Sequence, residues 1–290
     1  NPNFSQYIRS RQWEHPLVMT APRSRSKVLS VQLVSYGDQQ MLVLSRDVTQ
    51  VEKLERMRRD FIANVSHELK TPLTVLSGFL ETFRDLPLSK EQQAEYLNLM
   101  YTQANRMQNL VEDLLALSAL ESSPSAGESG ELVDLSGIAQ KTGDEAQQLS
   151  GGKHDIRVEV ETGLFAMGNT AEIFSAFSNI VTNAIRYTPE RGKISIALRK
   201  TENEIGKSCA AFVVQDTGIG VSAEHIPRLT ERFYRVDRSR SRESGGTGLG
   251  LAIVKHVVQR HDGELDIQSR PNAGSTFTIL MPLAKLEAGA

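Results

Sequence analysis

The sequence has a single cysteine, Cys209, so no disulfide can close within one chain. That excludes a disulfide-stapled secreted scaffold and suits a reducing compartment. No apolar run approaches the roughly 20 residues that a membrane-spanning helix needs, and no stretch reads as a cleavable secretion signal. Excess charge is also missing. The formal net charge is −2, which gives no general pull toward nucleic acid or an anionic bilayer. What remains fits a globular protein: 290 residues, 39% hydrophobic and 23% charged, enough for two domains or three small ones.

Residues 1–50 read as a short helix followed by strands. Val28, Ser30, Gln32 and Val34 alternate with Leu29, Val31 and Leu33. Tyr36-Gly37-Asp38 signals a turn, and Met41 to Leu44 is an apolar run of strand length. Such a hairpin is too small to hold a core of its own. From Val51 to Phe83 the period becomes helical, with Leu54, Phe61, Val65, Leu69 and Leu76 at steps of three and four or their multiples. Asp85-Leu86-Pro87-Leu88-Ser89 breaks that helix. Ser89 and Gln92 have the spacing of a reciprocal cap for a second helix, from about Lys90 to Glu121. Its apolar face carries Leu97, Met100, Ala104, Met107, Val111 and Leu114. One hairpin cannot bury both apolar stripes, whereas two hairpins can, as a four-helix bundle; the expectation is a homodimer. Residues 122–130 form a polar, Gly/Ser-rich linker. Beyond it, helices are expected near 135–150, 170–187 and 249–261. Strands are expected near 156–161, 193–199, 210–216, 264–269 and 275–281. That is a mixed domain of about 150 residues.

Six constellations carry chemistry. The first is Val65-Ser66-His67-Glu68-Leu69-Lys70-Thr71-Pro72-Leu73. A neutral imidazole is a nucleophile when its other nitrogen keeps a proton held by an acceptor, and Glu68 stands beside His67 for that task. Pro72 removes the donor to the Glu68 carbonyl and should bend the helix just past the histidine. A lone His-Glu pair on a helix is usually a solvated surface pair; the nine-residue string is far more specific. The second runs from Asn179 through Asn183 to Arg186 and Tyr187. An amide oxygen can ligate Mg²⁺, a guanidinium can hold phosphate oxygens, and a tyrosine ring can cover a base. The third is Asp216-Thr217-Gly218-Ile219-Gly220 after a strand, where a carboxylate can accept from an adenine amino group. The same short pattern also describes ordinary strand-ending turns. The fourth is the glycine run Gly245-Gly246-Thr247-Gly248-Leu249-Gly250 entering a helix, a junction that offers unpaired N–H groups to phosphates. Between the last two lies a stretch with Phe233 and six arginines, Arg235 among them, over residues 228–242, read as a lid over a polyphosphate rather than as a nucleic-acid patch. Thr276, at the start of the final strand, is a sixth candidate; an ordinary strand residue is nearly as good a reading.

In their order, these boxes resemble the whole catalytic core of the class I sensor histidine kinases over residues 51–285. The resemblance implies a multidomain α+β chain: an all-α dimeric helical hairpin, a four-helix bundle in the dimer, plus an α/β sandwich ATP-binding domain. A partial PAS-like β segment comes first. The corresponding boundaries are 1–50 for the end of the PAS-like sensor domain, 51–121 for the dimerisation and phosphotransfer hairpin, 122–130 for the linker and 131–285 for the catalytic domain. By resemblance His67 is the phospho-acceptor, Asn183 the Mg²⁺ ligand and Asp216 the adenine reader. Gly246, Gly248 and Gly250 contact phosphates, and Phe233 and Arg235 belong to the lid. Thr71 matches the position that orients water for dephosphorylation of the partner. Residues 225–237, with Asn1-Pro2-Asn3-Phe4, resemble the branch of the family that governs phosphate-starvation responses. Arg186 departs from the lysine of many relatives, so phosphate contact survives with altered geometry.

The resemblance implies ATP and Mg²⁺ as cofactors, a response-regulator receiver domain as partner, and no nucleic acid. The nucleotide domain is expected to swing on residues 122–130 toward His67. The chain begins Asn1-Pro2-Asn3 rather than with Met and reads as a soluble fragment of a protein anchored on the cytoplasmic side of the inner membrane. Two other classes remain open at this stage: a conformational ATPase of the gyrase or mismatch-repair type, and a non-catalytic dimeric scaffold.

Overall fold

The computed structural model describes residues 2–11, 13–36, 40–122, 130–203, 206–236 and 246–284. The chain divides into two compact units, residues 1–70 and residues 71–290. No helix among the described residues is long and apolar enough to cross a membrane.

In the first unit a short helix, α1 (Pro2–Ser10), precedes an antiparallel sheet of order β1-β2-β3, built from β1 (Leu17–Ala21), β2 (Ser24–Tyr36) and β3 (Gln40–Asp47). Strand pairing sets Met19 opposite Leu29, and the face that also carries Val31 and Leu33 is the buried one, as period-two alternation requires. Sequence reasoning found two of these strands and missed β1. Residues Gly37 and Asp38 of the expected turn lie outside the described residues. The sheet is tied to the next helix, α2 (Thr49–Asp85). The Asp47 carboxylate accepts from the backbone N–H of Thr49 at 3.0 Å and from its hydroxyl at 2.5 Å. The Val28 N–H on β2 donates to the same hydroxyl oxygen at 2.9 Å. These bonds hold the Asp47 carboxyl below its usual range.

The second unit contains the remainder of α2 and the helix α3 (Lys90–Ser122). The turn between them closes on Tyr96, whose ring lies 5.1 Å from that of Phe79 and 6.2 Å from that of Phe83. The reciprocal cap is present: the Ser89 N–H donates to Gln92 Oε1 at 3.0 Å and the Gln92 N–H to Ser89 Oγ at 3.2 Å. On α3, Leu97 and Val111 remain 57% and 44% exposed, with the exposed Ala104 midway between them at seven-residue steps.

The mixed domain follows: β4 (Glu131–Asp134), α4 (Leu135–Ser150), β5 (Asp155–Val160), β6 (Phe165–Gly168), α5 (Thr170–Tyr187), β7 (Lys193–Glu202), β8 (Ser208–Asp216), a 3₁₀ turn (Ile226–Arg228), α6 (Gly250–Arg260), β9 (Glu264–Arg270) and β10 (Gly274–Pro282). The main sheet has the order β5-β7-β8-β10-β9. Only β5 and β7 run parallel. Against it α5 lays Ile173, Ala176, Phe177, Ile180, Val181 and Ala184, and the Phe177 ring stacks on Phe212 of β8 with centroids 3.7 Å apart. Local signals set the helix starts. Asp134 caps α4 through the Gly137 N–H at 3.0 Å, and Asn169 caps α5 through the Glu172 N–H at 3.1 Å. The buried His261 ring donates from Nδ1 to the Val257 carbonyl and accepts at Nε2 from the Asn169 N–H, which ties the end of α6 to the start of α5. The strands β4 and β6 were absent from the sequence reading. At four residues each they are too short for alternation to register, and they exist through pairing of Val133 with Ala166.

Phe212 is fully buried beneath α5. Phe212→Ala is expected to destabilise the domain by about 3–5 kcal/mol, read as a lowered urea midpoint.

Candidate functional site

Burial of one face of α5 aims another. Asn179, Asn183 and Arg186 stand at i, i+4 and i+7, so they share one stripe along the helix. That stripe meets the glycine run. The Asn179 amide oxygen lies against the backbone of Gly250, and its nitrogen donates to the Ser175 carbonyl at 2.9 Å. A side chain at 246 would run into the Arg186 guanidinium, whose Nη1 is 2.7 Å from where its Cβ would stand. The Asn183 amide has no hydrogen-bond partner among the described residues. Gly248 adopts φ +76° with the Phe233 backbone against it, a conformation that only glycine takes without strain. Phe233 itself is held at φ +61° by its N–H bond to the Gly248 carbonyl at 2.9 Å. Thr247 Oγ accepts the Leu249 N–H at 3.2 Å. Leu249 is fully buried, so only its backbone faces the loop.

Asp216 ends β8 at 5% exposure. Its carboxylate accepts from the Gly218 N–H at 2.7 Å and the Ser275 N–H at 3.3 Å, yet burial outweighs both bonds and pushes its pKa up. Gly218 packs against the Tyr187 carbonyl, which also accepts from the Ile219 N–H at 3.2 Å. The strand-ending turn and the end of α5 are thereby joined. Tyr187 is exposed. Gly220 sits against the Arg270 carbonyl and has a packing reason of its own.

One expectation changes. Thr276 pairs with Gln215, whereas Ser275 pairs with Asp216 and Phe277 with Val214. Cross-strand partners share a face. Thr276 therefore lies on the face away from Asp216, and the structure does not bring it to the site. The residue that belongs there is Ser275. Counting back by two from the buried Phe277 identifies it. Gly245, Asp237 and the arginines at 238, 240 and 242 lie outside the described residues, as do residues 123–129 of the linker. Within the described part, Arg228 covers the Tyr234 ring at 4.2 Å, and the Tyr234 hydroxyl lies 2.6 Å from His225 Nδ1.

On α2, His67 is exposed and Glu68 half-buried. Thr71, one turn beyond His67, is exposed, and Pro72 is buried within a helix that continues past it to Asp85. Among the described residues no group of three or more His, Cys, Asp or Glu could enclose a metal.

Residues 57–123 match the His Kinase A (phospho-acceptor) domain, and residues 168–285 match the family described as Histidine kinase-, DNA gyrase B-, and HSP90-like ATPase. The chain is 46% identical over 280 residues to the phosphate regulon sensor protein PhoR of Pseudomonas aeruginosa, covering 96% of this chain and 62% of the relative. It is 35% identical to PhoR of Haemophilus influenzae, with 96% and 64% covered. It is 34% identical to the sensor-like histidine kinase SenX3 of Mycobacterium tuberculosis, with 92% and 66% covered. The chain thus spans less than two thirds of the length of these relatives. Among solved structures, the Acinetobacter baumannii histidine kinase AdeS shares the fold with TM-score 0.56 at 24% identity, covering 75% of this chain and 98% of that one.

Asp216→Asn keeps the acceptor oxygen and removes the desolvated charge. Because the folded-state pKa is raised, the wild-type penalty is present above that pKa and fades as pH falls through it. The variant is expected to melt higher than wild type at pH 7, with the difference shrinking on acidification, as followed by calorimetry.

Proposed function

The chain belongs to the sensor histidine kinase family, and on that premise we propose that it transfers the γ-phosphoryl group of ATP to His67, and from there to an aspartate of a response-regulator receiver domain. The observation that carries this reading is the α5 stripe, whose Asn179 and Arg186 meet the glycine run that leads into α6, with the buried Asp216 joined through Gly218 to the end of the same helix. Asp216 supplies an acceptor for the adenine amino group. Arg186 and the N–H groups of residues 246–248 supply donors to phosphate oxygens, and Tyr187 supplies a ring for the base.

The donor set also fits a magnesium ion. Mg²⁺ characteristically takes one or two protein oxygens and completes its shell with water and phosphate. The Asn183 amide oxygen is such a ligand, and the described residues build no cage that would replace the phosphates. When bound, the ion would offset charge on the β- and γ-phosphates.

At His67 the neutral imidazole nitrogen attacks the γ-phosphorus, the bond to the bridging oxygen breaks, and ADP leaves. The other ring nitrogen keeps its proton, with the Glu68 carboxylate as its acceptor. The regulator's aspartate then attacks phosphorus and frees the imidazole. Thr71, one helical turn beyond His67, would orient a water when the kinase removes the phosphoryl group from its partner. Likeness to two phosphate regulon sensor proteins favours phosphate-starvation signalling as the setting. We divide the chain as 1–50 PAS-like, 51–121 phosphotransfer hairpin, 122–130 linker and 131–285 catalytic domain. The extra length of the relatives leaves room for a membrane-anchored sensor, with these domains on the cytoplasmic side. The phospho-acceptor match over 57–123 favours this reading over a conformational ATPase.

Incubation with Mg-ATP labelled at the γ-phosphate is expected to leave acid-labile label on the chain. His67→Gln should abolish the label while ATP binding persists, and Asn183→Ala should slow labelling roughly 10²-fold or more. Steady hydrolysis with no label on any His67-containing chain would sink the proposal. The exposed row Leu97, Ala104 and Val111 fits a second copy of the hairpin, so Val111→Asp is expected to shift the chain from dimer to monomer in sedimentation velocity.

A further inference from the structure

The glycine run is gripped from outside the nucleotide domain. The Thr247 hydroxyl donates to Asp113 Oδ2 on α3 at 2.6 Å. Arg186 lies close enough for its charge to stabilise the same carboxylate, although burial dominates and raises the Asp113 pKa. Two turns further along α3, Glu121 pairs with Arg232, and His256 Nε2 of α6 lies 3.7 Å from it. Leu117, one turn from each acid on the same side of α3, is 1% exposed. The Arg232 segment is itself bound to the loop through the Phe233 N–H and the Gly248 carbonyl. Two acids with a buried leucine between them therefore hold the loop and its flanking segment to α3.

A hydroxyl that donates to a carboxylate, with the charge of a guanidinium nearby, is a donor set that would also hold a phosphate oxygen. We infer that Asp113 is a built-in competitor for nucleotide phosphate, and that the α3 contact is an autoinhibitory latch which ATP must displace. The inference rests on the nucleotide-site reading above. A triphosphate and the Asp113 carboxylate are both anions and cannot share Thr247 and Arg186 without strong repulsion. Binding is then weakened by the fraction of molecules in which the latch is open, and bound nucleotide in turn opens the latch. A signal that twists or separates α3 would raise nucleotide affinity without touching any residue of the pocket.

The test is the Kd of Mg-ATP, by calorimetry on the full chain, for wild type, Asp113→Ala and Asp113→Asn. With the latch closed in about nine molecules of ten, Asp113→Ala is expected to bind about tenfold more tightly. Asp113→Asn, which keeps an acceptor but loses the charge, should fall between. Binding by Asp113→Ala alone, with none by wild type, would mean a latch closed almost completely and would support the inference. Equal affinity for all three chains would overturn the latch and leave the nucleotide site standing. Weaker binding by Asp113→Ala would also overturn it, making Asp113 a supporter of the nucleotide. No binding by any chain would remove the nucleotide site and the latch with it.

Discussion

The site depends on the pressing of one face of α5 against the sheet. Each residue of a helix advances by a fixed angle. Once Phe177 is stacked on Phe212 and Ile180, Val181 and Ala184 are buried, the direction of every other side chain on α5 is decided. Asn179, Asn183 and Arg186 have no choice of azimuth. The His261 ring, bonded to Asn169 at one end and Val257 at the other, limits sliding along the axis. The polar stripe is positioned by apolar packing that touches no ligand.

Two carboxylates, Asp113 and Asp216, carry raised pKa values for the same reason, burial. Their surroundings differ. Asp216 is bonded to backbone N–H groups of its own domain, so its cost is fixed by the fold. Asp113 is bonded to a side chain across an interface between α3 and the glycine run, so its cost can be relieved by separating the two. One acid is a constant of the domain; the other can respond to its neighbour.

Much of this was legible in the sequence where signals are local. The helical stretch near 170–187 matches α5, and Ser89 with Gln92 gave the start of α3. What was not legible depended on pairing between distant segments. The strands β4 and β6 are too short to show a period and exist through each other. The choice between Ser275 and Thr276 turns on register, which adjacent residues cannot reveal. Asp113 and Glu121 look like ordinary solvated acids on a helix until α6 and the glycine run are brought against them. The phosphotransfer motif and the glycine run were clear because their chemistry needs contiguous residues.

The tie between sheet and helix at Asp47 and Thr49 has a mechanical consequence. From Thr49 to His67 is eighteen residues of uninterrupted helix, which is five full turns and about 27 Å. His67 therefore faces the same way as the residue bonded to the sheet, and Pro72 comes only after it. Such a helix acts as a drive shaft keyed at one end. Any rotation of the sheet that turns the first coil of α2 reaches His67 with its angle unchanged, and the bonds at Thr49 are the key.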